Sequence, residues 1–394
     1  MFSKNFKVQN FKTKKNDIEK IKKKFFELTK KTSKTNVVKS FSKNYKYSFD
    51  ENKLNRFKKF NSINIFGLGG SSLGIKAIYN FLNSKVKKKV YFYDNLTPKV
   101  HESNKNKKLD IIISKSGNTL ETIVNQNIFS VSKKLFITES QNNFLRKIAN
   151  KLKAEIIEHK NFVGGRYSVL SEVGMLPAKL FGLNINKFKK YDSLILNKKF
   201  LDTLINNVGS ILNFSKSGKT NCVILNYDED SKSLLEWYQQ LVSESLGKKS
   251  KGIFPIISDM PKDNHSMMQL FLDGNKNNFF TFFDVQDTSS KSLKHKNLLN
   301  ELRYLKNHNI KSIMNAQKEA TKNIFLKKNI PFRSFEIFKR SEDCLGEIFT
   351  YFMLETILLG KMMSLNPFNQ PAVEMVKKET KKMLLGKVSK YKFR

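Results

Sequence analysis

Short apolar runs alternate along this chain with stretches whose apolar residues recur every three or four positions. The runs Ile63–Gly67, Val90–Tyr93, Asp110–Ser114, Leu135–Thr138 and Ala154–Ile157 read as strands, and the spacing between them predicts helices over Leu73–Leu82, Leu120–Val131 and Asn143–Lys151. A second series follows at Cys222–Asn226, Ile253–Ile257, Phe279–Phe283 and Phe332–Phe338, again separated by helical patterns. Strands that alternate with helices bury both faces of a parallel sheet. The expected fold is therefore α/β: two doubly wound domains with mostly parallel sheets and a helical C-terminal tail. Residues 1–60 form a basic segment with one amphipathic helix, about Asp17–Thr29. The first domain is placed at residues 61–190, the second at 191–340, and the tail at 341–394 as two helices around the break Leu365-Asn-Pro-Phe368.

Composition narrows the classes of function. The chain has 394 residues, 39% of them hydrophobic, enough for two cores and inconsistent with a disordered protein. A formal charge of +39 raises the possibility of nucleic-acid binding. The lysines are nevertheless spread over the whole length, without a helix-turn-helix, RNP or zinc-finger signature, so nucleic acid is not expected as the partner. The positive field instead favours encounter with a small anion. Two cysteines and five scattered histidines support neither a disulfide framework nor a metal site. No apolar run is long enough to span a membrane, and the N-terminus lacks the core of a secretory signal; a cytoplasmic location is expected.

Two loops carry the first chemical signal. Gly67-Leu-Gly-Gly-Ser-Ser-Leu-Gly74 follows a strand and opens a helix, where glycines such as Gly69 and Gly70 allow close backbone approach and helix N–H groups attract phosphate. A dinucleotide fold is the rival, with Asp94 ending the next strand, but Ser72 stands at the third glycine position. Ser114-Lys-Ser-Gly-Asn-Thr119 follows another strand and crowds Ser114, Lys115, Ser116 and Thr119 around one glycine. Capping accounts for one of these hydroxyls, not for all. Two such loops at the carboxyl edge of one sheet fit a sugar phosphate better than a nucleotide.

Four further segments supply candidates for acid–base work. Gly164-Gly165-Arg166 precedes a helix over Glu172–Phe181, and an arginine after two glycines can bring a fixed cation close to a ligand. Glu244 lies in the last turn of an amphipathic helix ending at Gly247, with Leu234, Trp237, Leu241 and Leu246 as its core. The helix dipole disfavours a carboxylate there, which suits a general base; a plain ion pair with Lys248 is the alternative. Asp263-Asn-His-Ser-Met-Met-Gln269 is read as the start of a helix with His265 in its first turn. Phe368-Asn-Gln-Pro-Ala-Val-Glu-Met-Val-Lys377 opens the last helix, Pro371 suiting the first turn, Gln370 just before it able to face a ligand and Lys377 one of several lysines. Asn213-Phe-Ser-Lys-Ser-Gly-Lys-Thr220 mimics a P-loop, but it follows a helix and precedes a strand, so it is a turn.

In this order the segments resemble the phosphoglucose isomerase family. GLGGSSLG is similar to its glycine–serine loop, SKSGNTLET to its phosphate loop, and VGGRYSVLSEVGMLPAKLFG to its arginine signature. LVSESLGK resembles the segment of the base, DNHSMMQLFLDG the histidine segment and FNQPAVEMVK the C-terminal signature, where Pro371-Ala372 departs from the family pattern. The resemblance implies two sugar-isomerase-type domains and reversible conversion of glucose-6-phosphate and fructose-6-phosphate without a metal or other cofactor. It implies a homodimer sharing its active site. Ser71, Ser114, Lys115, Ser116, Thr119 and Gln370 would hold the phosphate, with Gly69, Gly70 and Gly165 lining the substrate loops. His265, from the partner copy, and Lys377 would assist ring opening, Glu244 would move the proton, and Arg166 would offset the enediol charge. Rivals are an isomerase that also takes mannose-6-phosphate, a non-catalytic sugar-phosphate-sensing regulator and a dehydrogenase.

Overall fold

The computed structural model describes residues 2–12, 17–30, 36–97, 108–130, 132–286, 290–294 and 298–386. Its strands are β1 (Phe6–Gln9), β2 (Ser62–Phe66), β3 (Lys89–Tyr93), β4 (Lys108–Ile113), β5 (Lys133–Thr138), β6 (Glu155–Glu158), β7 (Asn221–Asn226), β8 (Phe254–Asp259), β9 (Asn278–Val285) and β10 (Phe332–Ile337). Its helices are α1 (Ile18–Thr29), α2 (Leu73–Phe81), α3 (Leu120–Phe129), α4 (Phe144–Lys151), α5 (Glu172–Leu180), α6 (Tyr191–Leu194), α7 (Lys198–Lys216), α8 (Lys232–Leu246), α9 (Met268–Asp273), α10 (Ile310–Lys327), α11 (Glu342–Met362) and α12 (Pro371–Leu384).

The strands form two five-stranded sheets, ordered β3-β2-β4-β5-β6 and β1-β10-β9-β7-β8. All pairings are parallel except β1 with β10, so the expected class, mostly parallel α/β, holds. Burial explains why the runs were legible. Ile63, Ile65, Ile111, Ile113, Leu135 and Ile137 face the large central core, while Phe66, Ile112, Phe136 and Leu145 build a separate core on the opposite face. The second sheet repeats this, with Cys222, Ile224, Phe279 and Phe283 on one face and Val223, Leu225, Phe280 and Phe282 on the other. A strand buried on both faces must be apolar throughout, whereas its neighbours in sequence need only one apolar stripe.

Within residues 1–60 the sequence reading found the helix, now α1, but missed β1, whose alternating Phe6-Lys-Val-Gln9 is only four residues long and lies within a lysine-rich stretch. The predicted α3 reached Val131, which lies outside the described residues; α3 ends at Phe129. The P-loop mimic is the last turn of α7 and the turn after it. Nearly every side chain of α11 is buried, and no helix among the described residues is long and apolar enough to cross a membrane.

The two sheets meet through α2 and α8, joined at their ends by Asn80 Nδ2 donating to Ser233 Oγ (2.8 Å) and Asn83 Nδ2 to Asp230 Oδ1 (2.9 Å). The helix after β2 therefore lies along the helix after β7. This brings the carboxyl end of the first sheet beside the last turn of α8.

Candidate active site

Strands β2 and β4 are hydrogen-bonded neighbours, and the loops after them share one sheet edge. A Cβ on Gly67 would stand 2.9 Å from Ser71 Cβ and 3.1 Å from Ile113 O, so glycine lets the two loops converge. Ser71 ends a single 3-10 turn, and its half-buried hydroxyl makes no hydrogen bond among the described residues. In the second loop Ser114 Oγ and Thr119 Oγ1 lie 2.8 Å apart, and Ser114 Oγ accepts from Gly117 N at 3.1 Å. Gly117 has φ +65°, and a Cβ there would stand 1.9 Å from Asn143 Oδ1. Thr119 precedes α3 without capping it, and the first amides of that helix remain open. Ser116 is exposed, its Oγ accepting from Asn118 N at 3.3 Å. Lys115 turns aside, donating to Asn161 O at 2.8 Å and lying 3.5 Å from Glu139.

The next piece is a direct backbone contact. A Cβ on Gly70 would meet Gly165 C at 2.2 Å, Gly165 O at 2.4 Å and Arg166 N at 2.6 Å. Ser168 Oγ donates to Gly70 O at 3.2 Å. Gly69, at φ +54°, presents its backbone to Gln240, whose Nε2 would stand 2.7 Å from a Cβ there. The glycine–serine loop is thus wedged between the arginine loop and α8.

Arg166, expected on a loop, is only 2% exposed. Its Nε donates to Ser245 Oγ (2.9 Å), Nη1 to Glu244 Oε2 (2.9 Å) and Gln370 Oε1 (2.8 Å), and Nη2 to Pro367 O (2.7 Å) and Asn369 O (3.1 Å). All five guanidinium N–H groups are engaged. Glu244 also accepts from Gln240 Nε2 at 2.8 Å, and 29% of its side chain is exposed. The alternative pairing with Lys248 is therefore not the one formed: Lys248 Nζ donates to Asn366 O. Burial, together with the nearby Arg166, depresses the Lys248 ammonium to about 8.

Two candidates stand apart. His265 closes a 3-10 turn, three residues before α9 begins, so it does not sit in that helix's first turn; its exposed ring has no hydrogen-bond partner among the described residues. Between it and the strand, Asp263 ties the turn down through Ser258, Asp259 N and Ser266. Lys377 is exposed on α12 and pairs with Glu374 at 2.7 Å, while Gln370, at the start of that helix, does reach Arg166. Asp94, the acid a dinucleotide would need, is held by Lys76 at 3.1 Å.

The gathered set is thus Ser71, Ser114 and Thr119 at one edge and Arg166, Glu244 and Gln370 beside it, with Gly69, Gly70 and Gly165 between. Sequence reading missed Gln240, although its place one turn before Glu244 is an available signal. It also missed Ser245 and Tyr167, whose hydroxyls lie 2.9 Å apart under the guanidinium. The carbonyls of Pro367 and Asn369 leave no mark in sequence at all. Chemically, a partly exposed carboxylate faces a fixed cation at the mouth of an anion cradle. Such a set can lift a carbon-bound proton while offsetting the oxyanion that forms.

Comparison with known proteins agrees with this geometry. The phosphoglucose isomerase family profile matches residues 27–390. A glucose-6-phosphate isomerase of Methanocaldococcus jannaschii is 32% identical over 357 residues, covering 84% of this chain and 86% of that one. One from Mycoplasmopsis pulmonis is 32% identical over 353 residues, covering 81% and 82%. Among solved structures, a hypothetical protein of Thermus thermophilus superposes with a TM-score of 0.82 at 21% identity, covering 93% and 94%. A glucose-6-phosphate isomerase of Chlamydia trachomatis gives 0.73 at 17% identity, covering 93% and 84%. At those identities the structures speak for the fold, and the sequence matches carry the assignment: this chain belongs to the phosphoglucose isomerase family.

Proposed function

We propose that the chain interconverts glucose-6-phosphate and fructose-6-phosphate by ring opening and proton transfer through an enediol. The observation that carries this reading is the 2.9 Å pair of Arg166 and Glu244, set against the Gly69–Gly70 loop on the sheet edge that also bears Ser114 and Thr119. Ser71, Ser114, Ser116 and Thr119 receive the phosphate, with Lys115 and Gln370 joining it. Glu244 carries the proton between the first and second carbons, and Arg166 offsets the enediolate. No metal or redox cofactor enters this scheme.

Ring opening falls to His265 and Lys377. Within one chain neither touches Glu244, which favours a homodimer in which the partner copy delivers His265. The exposed apolar residues Val373, Val376, Met383 and Leu384 on α12, a helix with no buried residue, favour the same assembly. We place the enzyme in the cytoplasm, with a sugar phosphate and neither nucleic acid nor membrane as its partner. Purified protein given fructose-6-phosphate should form glucose-6-phosphate, before and after exhaustive chelation. Absence of conversion would refute the function, and loss restored by a divalent ion would refute the metal-free scheme.

A further inference from the structure

The segment 363–370, which joins α11 to α12, is held from two sides by cations. From one side Arg166 takes Pro367 O, Asn369 O and Gln370 Oε1, and Tyr167 OH adds a second donor to Pro367 O at 3.1 Å. From the other, Lys248 Nζ takes Asn366 O and Lys251 Nζ takes Met363 O at 3.4 Å. Three of the five guanidinium bonds of Arg166 thus end on this segment. The other two end on Ser245 and Glu244 of α8, so a shift of the segment would pull the guanidinium against the helix that carries Glu244.

Lys248 is anchored to the helix that carries Glu244. It comes two residues after α8 ends, and its backbone exchanges two 3.0 Å hydrogen bonds with Lys251 around a turn in which Lys249 and Ser250 have φ of 53° and 55°. It therefore joins the Glu244 helix to the Arg166-binding segment by a route separate from the Glu244–Arg166 pair. Beside this joint lies a cavity of about 420 Å³ lined by Gly247, Lys248, Leu365, Asn369 and Pro371, so the segment has room to move if released. Packing restrains it only in part: Leu365 is buried and Pro367 lies against Gly360, while Asn366 and Asn369 are exposed.

We infer that Lys248 is a positioning residue for the isomerisation, holding the 363–370 segment so that Arg166 stays registered against Glu244. This rests on the function proposed above. An ammonium placed near another cation is unfavourable, and a chain with 73 lysines and arginines has ample solvated sites for one. Its position is better explained by the carbonyl it holds than by surface charge.

The test compares full-length Lys248→Met and Lys248→Arg with the parental protein. Hydrogen exchange of the 363–370 amides reports the tether, and steady-state conversion of fructose-6-phosphate reports its consequence. Lys248→Met should exchange at least about tenfold faster there. Since an ångström of misplacement can cost on the order of 100-fold, its kcat should drop by roughly 10- to 100-fold, with KM within about threefold because the Ser114–Thr119 loop and Ser71, which carry most of the phosphate contacts and lie outside the segment, are untouched. Lys248→Arg should recover most of both, and the urea midpoints of all three proteins should agree closely. Unchanged exchange, unchanged kcat, or a loss matched by a fall in urea midpoint would overturn the inference. A parental protein without isomerase activity would instead sink the function, while the exchange comparison would still decide whether Lys248 holds the segment.

Discussion

Replacing Gly70 by Ala perturbs the site by one methyl group, and its effect can be worked from distances. The added carbon would lie 2.2–2.6 Å from Gly165 C, Gly165 O and Arg166 N, against an ordinary contact of 3.4 Å or more, so the two loops must part by about 1 Å. All three atoms are backbone, so no rotamer change relieves the clash. The backbone of Gly70 is not in the left-handed region, so the substitution tests the contact and not local strain. Overpacking of this kind costs about 1–3 kcal/mol of stability, and an ångström of misplacement can cost on the order of 100-fold in rate. Gly164→Ala is the control, since its Cβ would meet only Tyr167 Cδ2 at 3.5 Å. The assay is kcat/KM for fructose-6-phosphate alongside a urea melt. A Gly70→Ala protein within about threefold of parental kcat/KM, at an unchanged midpoint, would show that the loop contact does not set the site.

Two further expectations concern stability. Arg333 and Glu355 are both fully buried and bidentate, with Tyr238 and Thr281 completing the network, so Glu355→Gln should destabilise by about 3–5 kcal/mol in a urea titration, and an Arg333→Met/Glu355→Met pair should recover much of that. His159, 1% exposed and near Lys115, is pushed by burial from 6.5 down to about 4. Between those values the unfolded chain binds a proton that the folded one refuses, so stability falls as pH drops from 6.5 to 4, by at most about 3 kcal/mol at 1.36 kcal/mol per unit. Urea midpoints across that range should show the fall, and His159→Gln should flatten it.

The fold was legible because parallel strands buried on both faces, such as Ile111-Ile-Ile113 and Phe279–Phe283, have almost no polar positions to blur them. β1 was not legible, being a short edge strand paired through its backbone to β10. In the candidate site, loops rich in glycine and hydroxyls drew attention to Ser71, Ser114, Thr119 and Arg166, which the fold brings to neighbouring positions. The burial of Arg166 could not be read, because its partners Pro367 O and Asn369 O are main-chain atoms some 200 positions away. The partner of Glu244 could not be read for a related reason. Helical spacing offered Lys248 at i,i+4, but the tertiary fold put a buried guanidinium closer and sent Lys248 to a carbonyl.

The proposed isomerisation depends on Glu244 as the group that moves the carbon-bound proton. The direct measurement is exchange of the second-carbon proton of glucose-6-phosphate with solvent deuterium, followed by NMR for the parental protein and for Glu244→Gln. The amide keeps the shape and can still meet Gln240, but it cannot accept that proton. General acid–base catalysis contributes on the order of 100- to 10,000-fold, so exchange should be rapid in the parental protein and slower by at least about 100-fold in the variant. A Glu244→Gln protein that exchanges the proton at the parental rate would contradict it.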